Sequence, residues 1–152
     1  MSTLKCSRRS ALALAAAAAG AAFGGGRHSA AAAERPGAAA DPAQRWFDAA
    51  VAMQRLAESW GDQPYGAVLV AGGAIIGEGP SRVVQRGDPS AHAEREAIRD
   101  AQKRLGRTNL AGSVLYSTSR PCAACENAAA DAGVARMIYG EQQADGGQPR
   151  HR

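Results

Sequence analysis

The chain has 152 residues, which is enough for one domain of ordinary size and excludes a second hydrophobic core within it. Its formal net charge is +4, but residues before position 34 contribute four of the 18 basic side chains and no acidic ones, so the remainder carries 14 of each sign. Only 5% of the residues are aromatic. Because domains that bind nucleic acids usually carry a clear excess of positive charge, this composition does not favour nucleic acid as a partner.

Residues 1–40 are predicted to be an export leader and an Ala-rich linker, outside the folded domain. The segment starts with basic residues, continues with an apolar stretch of Ala and Leu, and then becomes rich in glycine. Arg8 and Arg9, followed closely by that stretch, resemble a twin-arginine signal over about residues 1–33, and the alanines before Glu34 offer a cleavage site. We therefore expect a periplasmic or secreted protein whose mature form does not contact the membrane. If the leader is not used, the protein stays in the cytoplasm.

A folded domain over residues 41–140 is predicted from the alternation of apolar patterns. Two short apolar runs flank Gly72-Gly73, which predicts an antiparallel hairpin. The last two strands are separated by a helix, which favours a parallel pair with a right-handed crossover. Residues 141–152 are polar and rich in glycine, and are predicted to form a disordered tail. The predicted elements are a helix over about 42–60, strands over 66–71 and 74–79, a helix capped by Ser90 that ends before Gly106, a strand over 114–116, a helix over about 122–132 and a strand over 134–139.

Two short segments carry the candidate chemistry, and each lies at the start of a predicted helix. They are His92-Ala93-Glu94 and Pro121-Cys122-Ala123-Ala124-Cys125. Two cysteines three residues apart on a first helical turn direct their sulfurs the same way, which suits two corners of a tetrahedral Zn²⁺ site. His92 can supply a third ligand, and three protein ligands leave a fourth position open, as is typical of catalytic zinc. The alternative is that Cys122 and Cys125 form a disulfide or a redox pair.

Glu94 is the candidate catalytic residue. A carboxylate that is desolvated in a pocket can take a proton from water and give it to a nitrogen of the substrate. On a regular helix, side chains two positions apart diverge by about 200°. We therefore expect His92 and Glu94 to lie where the helix is not yet regular.

Together, these segments resemble the zinc-dependent cytidine and deoxycytidylate deaminase superfamily, and within it the branch of guanine, cytosine and tRNA adenosine deaminases. The shared signature is a His followed two residues later by a Glu, here His92 and Glu94, and a Pro-Cys-x-x-Cys motif that begins here at Pro121. The resemblance implies an α/β fold, a three-layer α/β/α domain with a mixed sheet of about four strands, and a homodimer. It also implies zinc ligation by His92, Cys122 and Cys125 and proton transfer by Glu94. Because family members usually continue past the fourth strand, we expect a domain that is shortened at its C-terminus.

Two positions depart from the family pattern, and both bear on the substrate. Ser81 occupies a loop position where the family often has an Asn that hydrogen-bonds the base, and a hydroxyl is a shorter partner than an amide. Arg120 stands where guanine and tRNA deaminases often have Glu. This charge reversal either shifts the preferred substrate toward an anion or is an accident of the surface without a role in binding. Together with Ala93, these two residues are the candidate substrate-binding residues.

The expected function is hydrolysis of a C–N bond of a cyclic amidine, with release of ammonia. The preferred substrate is a free nucleobase or nucleoside of the guanine or cytosine type. One alternative is a deaminase that acts on adenosine or cytosine in RNA or single-stranded DNA, which would need a basic groove with stacking aromatic residues. A second alternative is a catalytically degenerate zinc-binding domain, against which the intact Glu94 argues, because a purely structural zinc has no use for that carboxylate.

Overall fold

The computed structural model describes residues 41–152, so the predicted leader lies outside the described residues. The described part has an α/β fold with a five-stranded mixed sheet, which confirms the predicted fold class and adds one strand. None of its helices is both long and apolar enough to cross a membrane. The helices are α1 (Pro42–Ser59), α2 (Val83–Arg86), α3 (Ala93–Leu105) and α4 (Ala123–Asp131), and the strands are β1 (Gly66–Ala71), β2 (Ala74–Pro80), β3 (Val114–Ser117), β4 (Arg136–Tyr139) and β5 (Ala144–Gly147).

The sheet has the strand order β2-β1-β3-β4-β5. Strand β1 pairs antiparallel with both β2 and β3, while β3 and β4 are parallel and are connected through α4. The predicted hairpin and the predicted parallel pair are both confirmed. Gly72 and Gly73 have φ angles of 57° and 75°, so the hairpin turn needs the conformational freedom that glycine provides.

Helices cover both faces of the sheet, because successive side chains of β1 point in opposite directions. Val68 and Val70 pack with α1, whereas Ala67 and Leu69 belong to a larger apolar cluster that includes residues of α3 and α4. All four of these β1 residues are almost fully buried. The described residues therefore form a three-layer α/β/α domain in which β1 lies between β2 and β3.

Strand β2 and helix α3 approach each other at backbone distance. A Cβ atom added at Gly79 would lie 2.0 Å from the carbonyl oxygen of Ala93, and one added at Gly77 would lie 2.2 Å from that of Ala97. No side chain fits in either place. The two glycines therefore fix the position of the start of α3, which carries part of the candidate site.

The region predicted to be a disordered tail contains the fifth strand, and this prediction is corrected. Strand β5 pairs antiparallel with β4 after a turn in which the Gln143 N–H donates to the Gly140 carbonyl at 2.9 Å. The Gln143 side chain also donates to Gln44 on α1 at 2.8 Å. The sequence Ala-Asp-Gly-Gly has a low intrinsic preference for strands, so the neighbouring backbone of β4 determines its conformation.

Candidate functional site

The three predicted metal ligands come together where α3 and α4 begin. The Nδ1 atom of His92 lies 3.6 Å from Sγ of Cys122 and 3.4 Å from Sγ of Cys125. A tetrahedral zinc ion with ordinary bond lengths separates a nitrogen and a sulfur ligand by about 3.6 Å. Both cysteines are free thiols, so the structure does not contain the alternative disulfide. The three ligand atoms lie within 4.8 Å of one another, and both nitrogen–sulfur distances suit a tetrahedral zinc ion.

Each half of the site is built at a helix N-terminus. His92 is the N-cap of α3, with extended backbone angles of φ −65° and ψ 152°, and Glu94 lies in the first turn. Because His92 precedes the regular helix, the two side chains can reach the same place, which confirms the expected irregular start. The predicted cap was Ser90, but α3 begins at Ala93, and the Ser90 hydroxyl instead accepts a hydrogen bond from Arg99 at 3.1 Å.

Helix α4 repeats this arrangement for the cysteines. Cys122 is its N-cap, with φ −74° and ψ 167°, and Cys125 lies in its first turn, fully buried. Burial and the neighbouring Glu94 raise the pKa of the Cys125 thiol. A bound cation offsets this effect, because metal coordination requires and stabilises the thiolate.

Glu94 is placed beside the ligand group and away from bulk water. Its side chain is 5% exposed, and its Oε2 atom accepts a hydrogen bond from Sγ of Cys125 at 3.5 Å. Burial raises the pKa of the Glu94 carboxyl, because the charged form loses its hydration. A carboxyl whose pKa is raised can both hold and release a proton closer to neutral pH.

A cavity of about 250 Å³ opens onto this group. Pockets for drug-sized ligands usually span roughly 300–1,000 Å³, so this cavity suits a small planar molecule. The sequence-predicted residues Ala93 and Arg120 lie in its wall, but three further lining residues were not predicted. Its lining consists of Gln63, Tyr65, His92, Ala93, Glu94, Ser119, Arg120 and Cys122. The three residues that were not predicted are Gln63, Tyr65 and Ser119, and they come from two loops. Only for Tyr65 and Ser119 does the sequence carry a signal, because both are close in sequence to the segments that resemble the family.

Ser81 does not line this cavity, which corrects its expected role in substrate binding. Its side chain is fully buried, and its hydroxyl donates to Oδ1 of Asp62 at 2.9 Å. Burial alone would raise the pKa of Asp62, but hydrogen bonds donated by Gln85, Gln63 and Ser81 outweigh it, so the pKa is lowered. Ser81 and Asp62 therefore join two loops. No local pattern predicts this pairing, because the two residues are 19 positions apart.

The comparison with known families agrees with this geometry. The family model of the cytidine and deoxycytidylate deaminase zinc-binding region matches residues 40–141, which is more than half of the chain. The chain belongs to this family. The metal of this deaminase domain is therefore zinc, and His92, Cys122 and Cys125 are the group in the described residues that can hold it.

Curated relatives of the deaminase domain act on different substrates. It is 37% identical over 102 residues to a tRNA-specific adenosine deaminase of Agrobacterium fabrum, covering 67% of each protein. It is 43% identical over 82 residues to a guanine deaminase of Bacillus subtilis, covering 54% of this chain and 53% of the relative. The chain spans 62% of the length of another match, a tRNA-specific adenosine deaminase of Buchnera aphidicola that is 34% identical over 100 residues.

Solved structures place the deaminase domain in the same branch. A structure from a study of A-to-I editing by tRNA:A34 deaminases superposes with a TM-score of 0.62 at 36% identity, covering 64% of this chain and 70% of the other. The guanine deaminase of Bacillus subtilis superposes with a TM-score of 0.61 at 38% identity, covering 64% of this chain and 62% of the other. The predicted family and fold are thus confirmed.

Proposed function

We propose that this protein is a zinc-dependent hydrolytic deaminase of a free nucleobase or nucleoside, of the guanine or cytosine type. One observation carries the proposal: the buried carboxyl of Glu94 lines the same small cavity as the metal ligands His92 and Cys122. A zinc ion that only stabilises a fold needs neither a cavity nor a carboxyl beside it.

The reaction would add one water molecule across a C–N bond of the base. When bound, zinc supplies Lewis-acid chemistry that activates water as a nucleophile near neutral pH. Glu94 accepts a proton from the attacking water and delivers it to nitrogen. The new C–O bond remains on the ring, the exocyclic C–N bond breaks, and the amino group leaves as ammonia.

The cavity wall offers groups that suit a single base. The ring of Tyr65 is 43% exposed and can stack on a base, while the amide of Gln63 can both donate and accept hydrogen bonds. Arg120 forms no ion pair with any residue in the range 41–152, so its charge is available to the substrate. Together with Ala93, these groups form the proposed substrate-binding wall.

A deaminase of RNA is the second candidate, favoured by an aromatic and cationic pair at the surface of the described residues. Trp60 is 36% exposed and carries the Arg82 guanidinium 4.5 Å from its ring centre, and Tyr65 is close in sequence. Aromatic and cationic groups of this kind bind single-stranded nucleic acid. The surface is only weakly basic, however, because Glu96 pairs with Arg86 at 2.7 Å.

Ammonia release by the full-length protein, with its zinc content measured, tests both candidates. The substrate panel contains guanine, cytosine, adenine, their nucleosides and a short RNA stem-loop. We expect turnover of one free base or nucleoside. Turnover of the stem-loop alone would favour the second candidate. One zinc per chain without ammonia from any substrate would contradict both and support a degenerate zinc-binding domain.

We further propose export to the periplasm or the exterior through the twin-arginine-like leader. A twin-arginine route moves folded proteins, so zinc loaded in the cytoplasm would protect Cys122 and Cys125 from oxidation. Cell fractionation of the wild type and of an Arg8→Lys/Arg9→Lys variant tests the route, and the variant is expected to remain in the cytoplasm. Exported protein that lacks zinc and contains a Cys122–Cys125 disulfide would contradict the proposed order of events.

We also propose a homodimer. The support is a groove of about 310 Å³ between α3 and α4, whose lining carries both Arg95 and Asp131. A two-fold axis would let opposite charges of two copies meet there. Light scattering of the wild type and of Asp131→Arg tests this proposal, and the variant is expected to shift toward the monomer.

A further inference from the structure

The segment that follows β5 lies on α4, the helix that carries both cysteines. In this docked segment, residues 148–152, Pro149 is buried, and the remaining contacts are polar. The backbone N–H of Arg152 donates to Oδ1 of Asn127 at 2.9 Å, and Nδ2 of Asn127 donates to the Arg152 carbonyl at 3.4 Å. His151 reaches Asp131 at 3.4 Å. The segment therefore follows the helix along its exposed side.

Glu126 makes the shortest contact with the docked segment, and it directly follows the ligand Cys125 in sequence. Its side chain is 10% exposed. Its Oε2 atom lies 2.6 Å from Nε of Arg152, and its Oε1 atom accepts the Arg150 N–H at 3.4 Å. A buried carboxylate needs partners of this kind, and the docked segment provides both.

Glu126 also belongs to the first turn of α4, which carries the metal ligands Cys122 and Cys125. The backbone N–H of Glu126 donates to the Cys122 carbonyl at 2.9 Å, which closes the first turn of α4. A small cavity of about 30 Å³ is lined by residues that include Arg120, Pro121, Glu126 and Arg152. The docked segment thus packs behind the loop that leads into Cys122.

We propose that the docked segment holds the first turn of α4 in the geometry that binds zinc, and that Glu126 is the positioning residue through which it acts. Glu126 does not touch the ligand atoms, and its effect passes through the backbone of the turn. Outer partners of metal ligands typically change metal affinity by 10- to 100-fold, and an effect through the backbone belongs at the lower end of that range. The proposal depends on zinc binding and not on which base is deaminated.

The test compares Glu126→Gln in the full-length protein with a matched control. Glu78→Gln removes the same charge from another carboxylate that pairs with an arginine at 2.6 Å, on β2. The measurements are the rate of zinc release to a chelator, hydrogen exchange of the α4 amides and the melting temperature of the metal-free protein. We expect Glu126→Gln to release zinc about tenfold faster and to exchange faster in the first turn of α4. Glu78→Gln is expected to match the wild type in both.

A charge reversal separates positioning from general stability. Glu126→Arg alone is expected to accelerate zinc release, and Glu126→Arg combined with Arg152→Glu is expected to restore most of the wild-type rate. Zinc release at the wild-type rate in Glu126→Gln would overturn the proposal. A lower melting temperature of the metal-free variant with unchanged zinc release would also overturn it, because the segment would then stabilise only the fold. Neither outcome depends on deaminase activity.

Discussion

At the scale of single residues, two buried carboxyl groups differ in the hydrogen bonds that they accept and in their pKa values. Glu94 is buried beside the ligand group, and burial raises the pKa of its carboxyl despite hydrogen bonds from its own backbone N–H and from the Cys125 thiol. Asp62 is also nearly buried, but it accepts hydrogen bonds from two backbone N–H groups and from Ser81, and its pKa is lowered. The first carboxyl is therefore suited to exchange a proton, and the second to hold loops together.

Replacing Glu94 with Gln should separate metal binding from turnover. The amide has nearly the same shape but cannot carry a proton, so we expect kcat to fall by about 10²- to 10⁴-fold. Zinc content should remain at the wild-type level, because His92, Cys122 and Cys125 are unchanged. Metal analysis and single-turnover assays on the substrate identified by the panel provide the two measurements. Wild-type turnover in the variant would show that another group moves the proton.

Replacing Asp62 with Ala should destabilise the fold, because buried donors lose their acceptor. We expect the free energy of unfolding to fall by about 1–3 kcal/mol. Urea denaturation at pH 7 measures this change. The control is Asp145→Ala, whose carboxylate is 53% exposed in its ion pair and whose loss should change stability by less than about 1 kcal/mol. Equal effects of the two substitutions would contradict the role assigned to Asp62.

The lowered pKa of Asp62 also predicts a pH dependence. A depressed pKa in the folded state contributes stability above the pKa of the unfolded state, about 3.9, and this contribution disappears as the pH falls through the folded value. Stability of the wild type should therefore fall more steeply below about pH 4 than that of Asp62→Asn. Urea denaturation of both proteins between about pH 2.5 and about pH 7 measures the difference. Parallel curves would exclude Asp62 as a contributor.

At the scale of elements, the contact between β2 and α3 sets the position of His92 and Glu94. Gly79→Ala would force its Cβ atom against the Ala93 carbonyl and the Ala97 backbone. Because backbone atoms cannot move aside cheaply, we expect a destabilisation of at least about 1–3 kcal/mol together with weaker zinc binding. Thermal melts and zinc titration measure both.

The control for this substitution is Gly72→Asn in the hairpin turn. A Cβ atom at Gly72 would meet nothing within 4 Å, and Asn tolerates the positive φ angle there better than other residues. Zinc affinity of Gly72→Asn should equal that of the wild type. A Gly79→Ala variant that kept wild-type zinc affinity would show that α3 can shift without disturbing His92.

Elements with strong local signals could be predicted from the sequence, and those determined by tertiary contacts could not. The Gly72-Gly73 turn and the apolar periodicity of α1 are local, and both predictions were confirmed. Strand β5 has no apolar pattern, so only its pairing with β4 reveals it. The predicted cap of α3 was wrong for the same reason. Ser90 is a good capping residue in isolation, but in the structure its hydroxyl accepts a hydrogen bond from the Arg99 side chain instead.

At the scale of the whole molecule, the ligand set could be predicted and the cavity around it could not. His92, Cys122 and Cys125 are recognisable from spacing, and the fold brings them together as expected. The partners of Ser81 and the wall residue Gln63 come from loops whose relative positions depend on the complete fold. Because the cavity wall depends on such tertiary contacts, the sequence indicates the reaction class more sharply than the base.

Zinc removal should weaken the entire domain, because the ion joins the starts of two helices. A ligand at 1,000 times its dissociation constant stabilises the folded state by about 4 kcal/mol. We therefore expect a chelator to lower the melting temperature markedly, and added zinc to restore it. Differential scanning calorimetry provides the measurement, with Cys122→Ser as a variant that should respond little to the chelator. An unchanged melting temperature would indicate that the fold does not depend on the metal.

Strand β5 has a consequence for how the molecule behaves at high concentration. It forms one edge of the sheet, and its residues are Ala144, Asp145, Gly146 and Gly147. An unpaired edge can recruit strands from other molecules, and apolar side chains make such pairing persistent. The β5 edge carries the Asp145 carboxylate and two glycines in place of large apolar side chains. Self-association into cross-β aggregates is therefore disfavoured at this side of the sheet, even though the strand contributes little to the core.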